Sequence, residues 1–430
     1  MSRVSESGVR AQILNRVGNR FFYGWVIVGV AGLGIFASGP GQSHTFSVFV
    51  GPISEDLGIG SATIATAYGL ATLVAAFCLP QMGRLVDRFG PRRMTTVVVL
   101  LLGVSCLAFG AAMNFLWLAV CFGALRFLGQ GSLMLNCANL VSQWFNRRRG
   151  FALSLMALGF AVSMAIHPPL SQFLVETVGW RTAWFVLGAT TWLLMLPPVL
   201  LLVHNRPEDL GLRPDGAPEP KGEEDGGEAL DGLTLREALR TATFYILSLG
   251  WFAIAMLVTT LHFYQVTILS GQGVATETAA RAFTISAITM VLAMPLVGIA
   301  LDRFPTRFVF ATGLAITAGA LVAITFAQDT PTALLYAVLF GLNNAFSMTM
   351  FGYIWPRYFG RRHLGSIQGT GQMIGVVGAS LGPLPVGLAF DLVGSATSTL
   401  QLLALFPLAC AVLAFFLKTS PGAGSAAHLD

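Results

Sequence analysis

The sequence predicts an all-α polytopic membrane protein whose twelve transmembrane helices form two pseudo-symmetric six-helix bundles. Three observations predict it. Hydrophobic residues make up 55% of the chain and charged residues only 10%, against about 25% charged in soluble domains. Apolar runs long enough to cross a ~30 Å hydrocarbon core come as six, a gap and six. Two charged loop motifs recur at one offset across that gap.

The first six segments lie at roughly 22–50, 62–82, 94–112, 115–143, 151–175 and 181–203. The second six lie at roughly 242–268, 280–300, 308–327, 331–356, 363–390 and 396–417. At 1.5 Å rise per residue each is long enough to span. The domain reading is a tail at 1–21, a half at 22–203, a linker at 204–240, a half at 241–417 and a tail at 418–430. The linker holds four of the 20 prolines and ten of the 20 acids, the composition of a solvated connector. Its end, LTLREALRTATFY, has the period of a short amphipathic surface helix, but a plain connector is the preferred reading.

Of the 25 Lys and Arg, all but Arg126, Arg181 and Arg281 fall on one side of this map. By the positive-inside rule that side is the cytoplasm, so both termini are expected there, in an inner (plasma) membrane. The pI of about 9.1 therefore reflects membrane sorting, and no nucleic-acid partner is expected. The first long apolar run lacks a small-residue cleavage site and is expected to stay as the first helix. Five scattered cysteines show no metal or redox spacing and read as packing residues. No nucleophile, base and metal constellation is present, so neither an enzyme nor a resident cofactor or metal is expected.

GRLVDRFGPRR at 83–93 recurs as GIALDRFPTRF at 298–308, and WFNRRRG at 144–150 recurs as YFGRRHLG at 358–365. Asp87 to Asp302 is 215 residues and Phe145 to Phe359 is 214, as an ancestral six-helix duplication requires. An Asp at a helix end followed by several Arg can latch a neighbouring helix end by charge-assisted bonds and release it when that face opens. Gly83, Asp87, Arg88 and Arg92 form the stronger copy, Asp302 and Arg303 the weaker.

The G-x-L-x-D-R-x-G-x-R-R run at 83–93 and RFLGQG at 126–131 resemble the signature loop and the helix-4 arginine motif of the major facilitator superfamily. FYGW at 22–25, SHTFSVFVGPISEDLG at 43–58, QWFNRRRGFALSL at 143–155, GWRTAW at 179–184 and RPEDLGLRPDG at 206–216 are similar to its monocarboxylate and oxalate/formate antiporter-like branch. The resemblance implies the major facilitator fold and a central cavity lined by helices 1, 4, 7 and 10. It implies alternating-access transport of a small organic anion, with a proton or a counter-substrate as coupling partner. Met294 and Gln372 stand where that branch often carries basic residues, which keeps open the alternative of an exporter of neutral or hydrophobic compounds.

All 20 acids map to loops or helix ends, so coupling through a buried carboxylate is disfavoured. Arg126 alone lies near the midplane, where a bare Arg costs ~2.5–3.5 kcal/mol and must face a polar cavity or a partner. It reads either as an anion clamp or coupling switch, or as a strut that binds backbone carbonyls. Gln130 shares its face. His44 follows the Gly39-Pro40-Gly41 break and His262 occupies the corresponding seventh helix, so the two are expected to face one another, with Gln42 beside His44. A break of this kind is tolerated only where protein or a wet cavity satisfies the freed backbone. His167 has a weaker claim. On helix 10, Tyr336, Asn343 and Asn344 serve either as inter-helix glue or as substrate contacts. The sequence leaves oligomeric state open.

Overall fold

A computed structural model describes residues 22–216, 232–393 and 395–418. The tail at 1–21, residues 217–231 of the expected linker and nearly all of the tail at 418–430 lie outside the described residues. The described residues are almost wholly helical. Ten helices are long and apolar enough to cross a membrane. One of them, Arg149–Leu202, has 54 residues and is two spans joined where Gly179 takes φ 78°. The first span is broken into pieces between 24 and 57 and completes twelve.

Local chemistry sets the helix starts and breaks. Asn114 accepts the amide of Trp117 at 2.9 Å and starts the fourth span at Phe115. Thr241 accepts from Phe244 N at 3.2 Å before the seventh, Ala242–Gly271. Asp329 accepts from Thr332 N at 2.9 Å before the tenth, Thr330–Phe359. These side-chain oxygens satisfy amides that the first turn leaves without partners. In the first span, Gly24–Ala37 ends at Ser38 and Gly39–Gly41 tightens to 3-10 geometry. Pro40 has no amide proton to continue an α-helix, and the chain restarts at Ser43.

The chain divides into two compact units. The first comprises Met1–Leu230 and Arg361–Gly369, and the second Asp231–Gly360 and Thr370–Asp430. The contact boundary therefore falls inside the expected linker, and the start of the eleventh span groups with the first unit. Within the first unit the broken first span packs on the fourth and on Arg149–Leu202, the second on the fourth, and the third on Arg149–Leu202. Within the second the main pairs are eighth with tenth, ninth with twelfth and ninth with tenth. Leu193, Leu292 and Leu402 are among many large apolar side chains left exposed, as spans facing lipid require. Of the five cysteines, all free, only Cys78 is exposed.

The beginning of the linker is structured rather than a plain connector. Residues 207–210 and 214–216 form 3-10 turns, and Asp215 holds φ 61°, the left-handed region that Asp tolerates better than most residues. Its Oδ2 accepts from the amides of Asn146 at 3.0 Å and Arg147 at 2.7 Å, and its Oδ1 from Arg148 at 3.1 Å. The carboxylate thus sits on the N-terminus of Arg149–Leu202, where orphan amides and the helix dipole favour an anion. Trp144 Nε1 donates to His204 O at 3.1 Å, Tyr23 OH donates to Leu202 O at 2.8 Å, and Phe22, Tyr23 and Trp144 pack as one aromatic cluster. Where a plain connector is the preferred reading and a short amphipathic helix the alternative, the structure forms a single helical turn, Leu235–Ala238, capped by the reciprocal Thr234 and Glu237 pair.

Candidate functional site

Arg126 opens a π-helical segment, Arg126–Leu133, in the middle of the fourth span. Such widened turns concentrate at functional positions. Its side chain is buried, at 7% exposure. Nη1 donates to Gly41 O at 2.9 Å and to Ser43 Oγ at 3.4 Å, Nε donates to Thr72 Oγ1 at 3.0 Å, and the guanidinium lies 4.8 Å over the Tyr68 ring. Tyr68 OH in turn donates to Ser43 Oγ at 2.8 Å. The break at 39–41 thus frees a carbonyl, and the midplane charge takes it. Close approach is required, since a Cβ on Gly41 would lie 2.5 Å from Leu125 O and 2.7 Å from Gly129 Cα.

Among the described residues no carboxylate pairs with this guanidinium, and Nη2 makes no hydrogen bond. The charge is held by a carbonyl dipole, two hydroxyls and an aromatic face. Arg126, Gln42, Phe46, Tyr68 and Phe122 line a cavity of about 10 Å³, room for one water. Gln42 is 3% exposed and its Nε2 donates to Ser38 Oγ at 3.0 Å and contacts Met134 Sδ at 3.3 Å. Gln130 is half-buried, and its backbone nitrogen lies against Gly41.

His44 is joined to a second histidine through a serine. His44 Nε2 and Ser163 Oγ are 3.1 Å apart, Ser163 Oγ and His167 Nδ1 are 3.1 Å apart, and the two rings are 6.3 Å apart. His167 packs on Phe36 at 4.8 Å and covers Gly39, where a Cβ would lie 2.4 Å from the imidazole. The structure therefore raises His167 above its standing in the sequence. The sequence also missed Thr72, Tyr68 and Ser163, common residue types whose roles come from neighbours distant in the chain.

In the second unit His262 is exposed; its Nδ1 donates to Val258 O at 2.9 Å, and its ring packs on Phe340 at 4.6 Å. With Nδ1 committed to its own helix, Nε2 is the nitrogen available for other chemistry. Tyr336 OH donates to Gln265 Oε1 at 2.9 Å and Thr317 Oγ1 donates to Asn343 Oδ1 at 2.8 Å. Asn344 Nδ2 returns to Phe340 O at 2.9 Å on its own helix. Tyr336 and Asn343 thus join neighbouring spans, the glue arrangement. Met294 is buried and Gln372 half-buried.

The loop motif makes a specific contact. Asp87 Oδ1 accepts from Gly365 N at 2.7 Å, and Oδ2 accepts from Ser366 N at 2.8 Å and Ser366 Oγ at 2.5 Å. This is again a carboxylate on a helix N-terminus, that of Leu364–Leu381. A Cβ on Gly83 would lie 2.0 Å from Gly365 O, so only glycine permits this approach. Arg92 Nη2 donates to Leu200 O at 2.8 Å, at the carbonyl end of Arg149–Leu202, and Arg88 lies 5.1 Å over Phe89. Asp302 and Arg303 end the eighth span, Thr276–Arg303.

Ten apolar helices long enough to span and a buried mid-span arginine mark a polytopic membrane protein, and the comparisons give its class. The family model of the Major Facilitator Superfamily matches residues 25–280 and 266–428. The chain belongs to that superfamily and is an integral membrane transporter, not an enzyme. It is 25% identical to the uncharacterized MFS-type transporter YhjX of Escherichia coli over 77% of this chain and 80% of that one. It is 24% identical to the oxalate:formate antiporter of Oxalobacter formigenes over 55% of this chain and 53% of that one. Among solved structures it matches FucP, a Major Facilitator Superfamily transporter in an outward conformation, with TM-score 0.70 and 13% identity over 91% of this chain and 99% of that one. That last likeness concerns the fold alone.

Proposed function

We propose that the protein is a secondary active transporter of a small organic anion of the monocarboxylate type, working by alternating access between its two halves. One observation carries the reading. Arg126 is buried at mid-span, with no acidic partner among the described residues and with Nη2 uncommitted beside a small cavity lined mainly by apolar groups. A fixed cation in low dielectric is a strong site for a carboxylate, which supplies the missing counter-charge. The likeness to an oxalate:formate antiporter supports the same substrate class. Gln42 lines the same cavity, Gln130 follows Arg126 one turn on along the span, and in the second unit His262, with Nε2 available, is a separate candidate contact. His44, Ser163 and His167 form a hydrogen-bonded relay that suits proton coupling where no mid-span carboxylate is available. The counter-substrate mode uses Arg126 alone.

Gly83 and Asp87 act as the latch, with Arg88 and Arg92 anchoring the loop and Asp302 and Arg303 as the repeat copy. The 22–203 and 241–417 halves move as the two bodies. The one-sided Lys and Arg distribution supports cytoplasmic termini in the plasma membrane.

A second reading, export of neutral or hydrophobic compounds, is favoured by the Arg126 bond to Gly41 O, since an arginine committed as a strut leaves an apolar cavity. Thermal stabilisation of the purified protein by small carboxylates and matched neutral amides, on wild type and Arg126→Gln, separates the two. Stabilisation by a carboxylate and its loss in the variant supports the anion reading; stabilisation by neutral or lipophilic compounds alone refutes it.

A further inference from the structure

Past Arg126 the fourth span carries a row of polar side chains that neither the fold nor the site above uses. Ser132, Asn136, Asn139 and Gln143 follow one another at spacings of four, three and four residues, which places them on one helix face. The row covers about 17 Å at 1.5 Å per residue, from the π segment to the loop at 146–148. All four are buried, with exposures of 0%, 0%, 1% and 4%. Among the described residues Ser132 Oγ, both amide atoms of Asn136, Asn139 Nδ2 and Gln143 Oε1 have no hydrogen-bond partner. Only Gln143 Nε2 is used, donating to Arg361 O at 3.1 Å. Gln368, in the same unit, is 0% exposed with both amide atoms unpartnered.

Buried carboxamides without partners destabilise the state that buries them. A face meant only for packing would carry Ala or Leu, as Leu135 and Leu140 beside it do. The same groups are satisfied if the face meets water in another state of the transport cycle. We propose that Ser132, Asn136, Asn139 and Gln143 form a hydrogen-bonding lane that conducts a small carboxylate between Arg126 and the cytoplasm, hydrated when the cytoplasmic side opens and dry when it closes. Amide N–H groups donate to the carboxylate and carbonyl oxygens hold its water. Their lack of charge lets the anion leave, where a second arginine would trap it. This rests on the anion-transporter reading and assigns the lane that reading leaves open.

The test places single cysteines in a background with the five native cysteines replaced, in inside-out membrane vesicles. A negatively charged methanethiosulfonate is the probe. Asn136→Cys and Asn139→Cys are expected to react at least tenfold faster than Ala138→Cys and Val141→Cys on the opposite face, with Arg148→Cys as the cytoplasmic positive control. Equal protection of all four while Arg148→Cys reacts overturns the lane. In the native background, Asn139→Leu is expected to raise the melting temperature while lowering carboxylate uptake at least tenfold. A variant that melts higher and transports at the wild-type rate also overturns it. Labelling needs no substrate, so a neutral substrate leaves the labelling result intact, whereas a failed lane shows protected cysteines in a protein that a carboxylate still stabilises.

Discussion

Replacing Arg126 by glutamine removes the only charge in the polar cluster, and the structure sets the size of both consequences. The variant loses donors to Gly41 O at 2.9 Å and Thr72 Oγ1 at 3.0 Å; hydrogen bonds of charged groups are worth about 1.5–3 kcal/mol each. It also sheds the ~2.5–3.5 kcal/mol cost of holding Arg at mid-membrane, so the unliganded protein is expected to lose about 1.5 kcal/mol at the middle of these ranges and no more than about 3.5 kcal/mol. For ligand binding nothing offsets the loss. Removing a buried charge-assisted contact costs about 2–3 kcal/mol, roughly 30- to 150-fold in affinity. At a carboxylate concentration of about 100 times the wild-type Kd, stabilisation by mass action is about 2.7 kcal/mol, falling to about 0.4 kcal/mol after a 100-fold loss. Arg126→Lys keeps the charge but loses the planar fork, and is expected to fall between the two. The assay is the thermal shift over a concentration series. An Arg126→Gln protein that folds and is stabilised by the carboxylate with wild-type dependence refutes Arg126 as the anion clamp.

Three further outcomes follow from the helix-end contacts. Gly83→Ala puts a methyl group 2.0 Å from Gly365 O and is expected to break the Asp87 cap, lowering transport at least tenfold; a normal initial rate of uptake counts against the latch. Asp215→Ala strips the amides of residues 146–148 of their acceptor and is expected to loosen the 206–216 turn by about 1–2 kcal/mol, read as faster tryptic cleavage at Arg213 with transport retained. Hydrogen bonds from Thr332 hold the Asp329 carboxyl below its ordinary value. A depressed folded-state value means its contribution is fully present above about pH 4 and disappears as pH falls through the folded-state value. The melting difference between wild type and Asp329→Ala is therefore expected to be constant from pH 5 to 8 and to shrink below pH 4.

Span number, the broken first helix, the repeat and the need of Arg126 for polar partners were all legible in the chain, because each is a local property. A run of apolar residues must span, Pro40 between two glycines must break a helix, and a lone midplane charge must find polar partners. The Asp215 clasp was half legible: the Asp215-Gly216 pair marks a turn, but nothing in the chain names the amides of residues 146–148 as its target. The same holds for Asp87, whose place at a helix end is local while its acceptance from Gly365 and Ser366 is not.

The sequence by itself therefore determined the membrane-embedded two-part helical class and the short set of polar groups that must find partners within the spans. Tertiary structure decided which groups satisfy which: that Arg126 takes the carbonyl freed at Gly41, that Ser163 joins His44 to His167, that Tyr336 is tied to Gln265, and that among the described residues both amide atoms of Asn136 and Nδ2 of Asn139 are buried without partners. The physical reason is that span formation depends on transfer free energy summed along a contiguous segment, which the chain lists directly. Hydrogen-bond pairing inside a bundle depends on helix rotation and close approach, set by glycines and bulky side chains on different spans at once.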